Sequence, residues 1–123
     1  MSEAERRPAY LCGQLHAALR TLESIGARTN RLAETGVLHE TAKAPQNKLR
    51  EHLRLTGEHV VAAVVRGEAH AKAATEVFQG IPTFIPSKGI PSRARDKTDF
   101  ALFSDGYNEQ LSAYKAKYGA LFA

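Results

Sequence analysis

The residues best suited to chemistry in this chain are cations. Lys43, Lys48, Arg50 and Arg54 are opposed within their stretch only by Glu51, and Lys88, Arg93, Arg95 and Lys97 only by Asp96. Arg50 and Arg54 are four apart, which places both on one face of a helix with Asn47 one turn earlier, while Leu49 and Leu53 face a core. Long cationic side chains opposite an apolar stripe suit phosphate contact, which fixes position without reading bases. The second cluster lies in a loop, where Ser87, Ser92 and Thr98 add hydrogen-bond donors to mobile positive charge. Two such clusters on a small domain point to a polyanionic partner. The other reading is two solvated faces, with Arg54 paired to Glu58; an i,i+4 pair is worth only ~0.2–0.5 kcal/mol and would not bar phosphate binding. Lys72, Lys115 and Lys117 are further cations outside the clusters. Aromatic residues make up 7%, mostly on apolar stripes, and Trp is absent. No platform for stacking single-stranded bases is evident, so the backbone is the expected target and sequence specificity should be low.

Other chemistries find less support. A metal site needs ligands converging at fixed geometry, such as two His one turn apart plus an acid. His52 and His59 are seven residues apart, about 10 Å along a helix axis. Glu58-His59 and His39-Glu40 are adjacent pairs that point to different faces. The five histidines, with His16 and His70, therefore read as surface or cap residues. Cys12 is the only cysteine and lies on an apolar helix face, so it reads as a buried thiol in a reducing cytoplasm. There is no phosphate-binding Gly-Lys-Ser/Thr loop, dinucleotide fingerprint or nucleophile elbow. The residues describe no enzyme, cofactor or metal.

These cations must be held by helices. The chain has 123 residues, 43% hydrophobic, 24% charged, with a net charge of +4: the size and composition of one folded domain. It has no membrane-spanning run and no secretory start, and residues 1–7 are expected to be a flexible N-terminus. The first helix is expected from Pro8 to about Ser24, with an apolar stripe of Leu11, Leu15, Ala18, Leu19, Leu22 and Ile25 and a stop at Gly26. Residues 28–44 are weaker: Thr29 or Asn30 is a cap for a short helix through Arg31–Glu34, and Lys43-Ala44-Pro45 is a break. A long helix is expected from Pro45 to about Arg66, with Leu49, Leu53, Val60, Val61 and Val64 on its apolar side; Val60–Val65 alone could also form a buried strand. Glu68–Gln79 forms a further helix packed through Ala73, Ala74, Val77 and Phe78. Pro82, Pro86 and Pro91 with Gly80 and Gly89 exclude regular structure over 80–95, a long loop whose Ile81, Phe84, Ile85 and Ile90 should lie over the core. The last helix starts at a cap at Asp96 or Thr98 and runs to about Tyr118. Its stripe is Phe100, Phe103, Tyr107, Leu111, Tyr114 and Tyr118, continuing to Leu121. The expected fold is all-α, a bundle of four to five helices with a Pro/Gly-rich loop before the last one. Gly13 and Gly106 break the first and last stripes at ~0.5–1 kcal/mol each relative to Ala, which implies another backbone or a bulky ring close by.

Three ordered motifs also carry a resemblance. Ala9-Tyr10-Leu11-x-Gly13-x-Leu15, then Ala42-Lys43-Ala44-Pro45 with Leu49, Leu53 and Leu55, then Phe103-x-x-Gly106-Tyr107-x-x-Gln110 with Phe100 resemble the C-terminal helical domain of the large subunit of type I CRISPR Cascade complexes, closest to subtype I-C. A chain of this length starting at Met1 resembles the small subunit that such systems make from an internal start within the large-subunit gene. The resemblance implies a non-catalytic cytoplasmic protein. Copies of it would line the complex beside the large subunit and the guide-RNA backbone subunits, holding target DNA and the displaced strand of the R-loop through basic residues. The alternative is a helical protein-interaction module without nucleic-acid contact. Neither reading calls for a membrane or a small-molecule substrate.

Overall fold

The structure, a computed structural model, describes residues 7–27, 37–94 and 96–122. The cap at Thr29 or Asn30, the short helix over 31–34, Arg95 and all but Arg7 of the N-terminal segment lie outside the described residues. The rest is all-α, as the periodicities require. Six α-helices occur among the described residues: α1 Pro8–Gly26, α2 Val37–Lys43, α3 Pro45–Arg54, α4 Thr56–Arg66, α5 Glu68–Gly80 and α6 Lys97–Tyr118, with short 3-10 turns at Ile81–Phe84 and Gly119–Leu121. No helix among these residues is long and apolar enough to cross a membrane.

The first helix is a central rod and not a surface helix with one apolar stripe. It contacts each of the other five helices, and its largest interface is with α6. Nearly its whole circumference is covered: Cys12, Leu15, Leu19, Leu22 and Ile25 are buried, and so are His16, Arg20, Thr21 and Ser24. Burial holds the Cys12 thiol up at about 12, so it is an inert thiol packed in the core.

The two anomalous glycines meet. A Cβ on Gly13 would sit 2.8 Å from the Tyr107 amide nitrogen and closer still to the Phe103 carbonyl oxygen; a Cβ on Gly106 would press on the Tyr10 carbonyl, 3.1 Å from its carbon. Each glycine is thus the seat for the other helix's backbone. Around the crossing, the Tyr10 hydroxyl donates to Glu109, and Gln14 Nε2 donates to Gln110 Oε1 at 3.3 Å. α6 then buries Phe103, Leu111, Tyr114 and Tyr118, with Phe100 and Tyr107 half-buried, along the expected stripe. Asp96, and not Thr98, is its cap: Oδ1 accepts from the Asp99 amide at 3.0 Å.

The single helix expected over 45–66 is two. Leu55 donates its amide to His52 O, an i→i+3 bond that tightens the last turn of α3, and Thr56 Oγ1 takes the Leu53 carbonyl at 2.9 Å. The break lets α4 turn in against the end of α1, where a Cβ on Gly26 would lie 2.7 Å from the His59 carbonyl oxygen. Arg66 on α4 then donates to the orphan carbonyls of Ser24, Ile25 and Ala27, capping the negative end of α1. Gly67 follows with φ 140°, a backbone angle other residues rarely adopt. The apolar side of α4 is narrower than expected: Ala63 is buried and Val60 half-buried against the core, but Val61 is 64% and Val64 57% exposed. Phe78 on α5, expected in the core, is also exposed, and its helix packs through Ala73, Ala74 and Val77 alone.

The glycine crossing makes a prediction with two signs. Gly13→Ala or Gly106→Ala should destabilise the protein by about 1–3 kcal/mol, because a methyl is forced into backbone. Gly57→Ala on α4, where nothing lies within 4 Å, should stabilise it by ~0.4–1 kcal/mol. Urea unfolding of the three variants checks this; equal effects of one sign would refute the crossing.

Candidate nucleic-acid interface

Pro45 starts α3 because its fixed φ suits the first helical position. Leu49 is fully buried and Leu53 half-buried against the core, which turns Asn47, Arg50, Glu51 and Arg54 outward. Lys48 lies between, half-buried. A broad open depression of about 730 Å³ runs along this face, lined by Asn47, Lys48, Arg50, Glu51 and Arg54 with Ala44 and Leu53. The Arg54–Glu58 pair considered from the sequence does not form: the ion pairs seen among the described residues are Arg20–Glu23 and Lys117–Glu76. Arg50 and Arg54 are therefore exposed with no carboxylate partner among the described residues.

The loop expected to be mobile is tied to this helix. Gln46 donates its amide to the Pro91 carbonyl at 3.0 Å, and Ala94 donates its amide to the Lys43 carbonyl at 3.3 Å. These two bonds splice residues 91–94 onto the joint between α2 and α3, so exposed Arg93 is carried on a segment anchored at the start of the helix that bears Lys48, Arg50 and Arg54. Lys88 and Lys97 do not share that link. Lys88 sits in a turn closed by Gly89 N to Pro86 O at 2.9 Å, and Lys97 begins α6. Arg95 lies outside the described residues. The loop is also less irregular than its prolines require, since Ile81–Phe84 forms a 3-10 turn. Ile81 is buried and Ile90 half-buried over the core, whereas Ile85 is exposed.

Sequence reasoning missed what seats α3. His16, expected at the surface or in a cap, is 1% exposed. Its ring lies 6.0 Å from that of His52 on α3, 5.7 Å from Phe103 and 5.0 Å from Tyr107 on α6. Buried Arg20, one turn along α1, hydrogen-bonds Tyr107 and pairs with Glu23 at 3.4 Å. A signal was present: Cys12, His16 and Arg20 recur every four residues, one line along a helix. Polar members at that spacing read as solvent-facing until a second layer of helices covers them.

The cluster sets protonation. Burial, then the charges of His52 and Arg20, push His16 down to about 3. His52 is lowered as well, mainly by burial, with Arg20 and His59 lowering it and Glu23 and Glu51 opposing. Both imidazoles are neutral near pH 7. The Nδ1 of His16 has no hydrogen-bond partner among the described residues. No three His, Cys, Asp or Glu side chains among those residues converge as a metal site requires. No family model, no curated protein and no solved structure matches the chain.

The depressed histidine predicts acid sensitivity. Its value in the folded chain lies below the ordinary 6.5, so the unfolded chain binds the proton first. Its contribution is complete above pH 6.5 and is lost as pH falls toward 3, at up to ~1.4 kcal/mol per pH unit. Unfolding measured from pH 7 to pH 5 should show this slope, and His16→Gln should flatten it. An unchanged slope in that variant would place the titrating group elsewhere.

Proposed function

We propose that this chain is a non-catalytic, cytoplasmic small subunit of a type I CRISPR Cascade complex that holds nucleic-acid backbone along the α3 ridge. The observation that carries this reading is the depression that Lys48, Arg50 and Arg54 line together, with the segments of Lys43 and Arg93 tied to the start of the same helix; Arg50 and Arg54 are exposed there, with no acidic partner among the described residues. Such a ridge attracts phosphate, and binding releases counterions whatever the base sequence. The position of the motif residues is compatible with the family resemblance. Tyr10, Gly13, Gly106, Tyr107 and Gln110 lie in or beside the α1–α6 crossing, so residues of the pattern are those the fold requires. The partners proposed with it are target DNA, the large subunit, the guide-RNA backbone subunits and further copies of the chain.

One observation favours a second reading, a protein-interaction module without nucleic acid. Val61, Val64 and Val65 on α4 are more than half exposed, which suits contact with another protein. Contact of this face with another protein would not by itself separate the two readings, since the cations lie on α3 and the valines on α4.

The ridge is tested by Arg50→Glu/Arg54→Glu. Binding to DNA should weaken, and the slope of log affinity against log salt should fall by about two as two cations are lost. Both residues are exposed, so folding stability should change by no more than ~0.5 kcal/mol per site. An unchanged affinity across the salt series, with partner proteins still captured after nuclease treatment, would favour the second reading.

A further inference from the structure

Beside the ridge, the splice between the loop and the α2–α3 joint closes a small apolar cleft of about 230 Å³. Its walls include the rings of Pro8, Pro45 and Pro91, with Ala9, Ala42 and Phe103. Among the described residues, the charged ones lining it are Arg93, exposed, and Asp99, 6% exposed. We infer that this cleft takes one unstacked nucleobase of a single strand whose phosphates lie on the ridge. The inference rests on the proposed phosphate-binding role of that ridge.

The volume selects the class of ligand. Sites for drug-sized molecules occupy roughly 300–1,000 Å³, so this cleft suits one planar ring system and not a whole nucleotide. The walls select its character. Flat apolar surfaces receive the face of a base in a sequence-tolerant way, as aromatic platforms do elsewhere. Here three prolines contribute to that surface, which is why aromatic content is a poor guide to it. The cleft is also preformed: the Gln46–Pro91 and Ala94–Lys43 backbone bonds cross beside it, and proline rings lose little freedom on binding.

The two charged groups orient the ligand. The Asp99 carboxylate repels phosphate and accepts hydrogen bonds; with about four lone-pair positions it can receive an exocyclic amino group in addition to the contact it already makes within the protein. Arg93, on the segment spliced to Lys43, attracts the flanking phosphate. Bases carrying an amino group, such as cytosine and adenine, should therefore be held more tightly than thymine.

The test uses the full chain and two single-stranded 12-mers of deoxyribonucleotide, one of cytosines and one wholly abasic, followed by fluorescence anisotropy. The wild type should bind the cytosine strand about tenfold more tightly than the abasic one, in keeping with stacking of a base. Ala9→Leu and Ala94→Leu each fill the cleft from a lining position and should abolish that preference while keeping the salt slope. A thymine 12-mer should bind more weakly than the cytosine strand. Equal binding of base-bearing and abasic strands by the wild type, or a preference retained in both filled variants, overturns the base site and leaves the ridge standing. A cytidine titration followed by NMR is independent of the ridge. Resonances of Ala42 and Phe103 should shift in the wild type and equally in Arg50→Glu/Arg54→Glu. Their failure to shift overturns the cleft whatever the strands do, and failure of the wild type to bind any strand overturns the ridge.

Discussion

Two helices approach through glycine at both ends of one contact, and the remainder of the molecule is arranged around that approach. Gly13 rests on the backbone of α6 and Gly106 on the backbone of α1. Neither helix can slide along the other without driving a side chain into a carbonyl, so register is set by sterics before any polar contact forms. Tyr10 with Glu109 and Gln14 with Gln110 then flank the crossing. The propensity lost at two glycines is small beside the burial of Phe103, Leu111, Tyr114 and Leu15 that the close approach permits, at roughly 1.5–3 kcal/mol for each large apolar side chain.

The same approach turns α1 into a core element. A helix contacted by five others has little wet surface, yet this one buries His16, Arg20, Thr21 and Ser24. Some of that polarity is matched: Arg20 meets Glu23 and Tyr107, and Arg66 reaches in to cap the helix end. Some is not, since His16 Nδ1, Thr21 Oγ1 and Ser24 Oγ lack partners among the described residues. Each such atom costs about 1–3 kcal/mol. The His16–His52 contact carries this interior polarity out to α3, so the helix that bears the ridge is seated on a titratable interior.

Leu55 divides the surface by chemical character. Before it, α3 presents cations; after it, α4 presents valines. The Leu49 side continues on α4 through Thr56, Val60 and Ala63, and Val61 and Val64 lie beside it, exposed. Thr56 claims the Leu53 carbonyl, and Gly26 makes room for the His59 carbonyl. A cationic surface and an exposed apolar one thus lie on two successive helices of one small domain.

Much of this was legible in the residues. The all-α class, the limits of α1 and α6, the stripe from Phe103 to Tyr118, the break at Pro45 and the need for a neighbour at Gly13 and Gly106 all follow from local rules of period, capping and propensity. Arg50 and Arg54 share a face for the same local reason. What local rules do not reach is the pairing of distant surfaces. That Gly13 meets Gly106, that His16 and Arg20 are interior, that the 91–94 segment is spliced onto Lys43 and Gln46, and that α4 turns at Leu55 are outcomes of packing between segments far apart in the chain. Periodicity states which side of a helix is apolar; only the assembled bundle decides how many sides are covered, because coverage is a property of the neighbours and not of the helix itself.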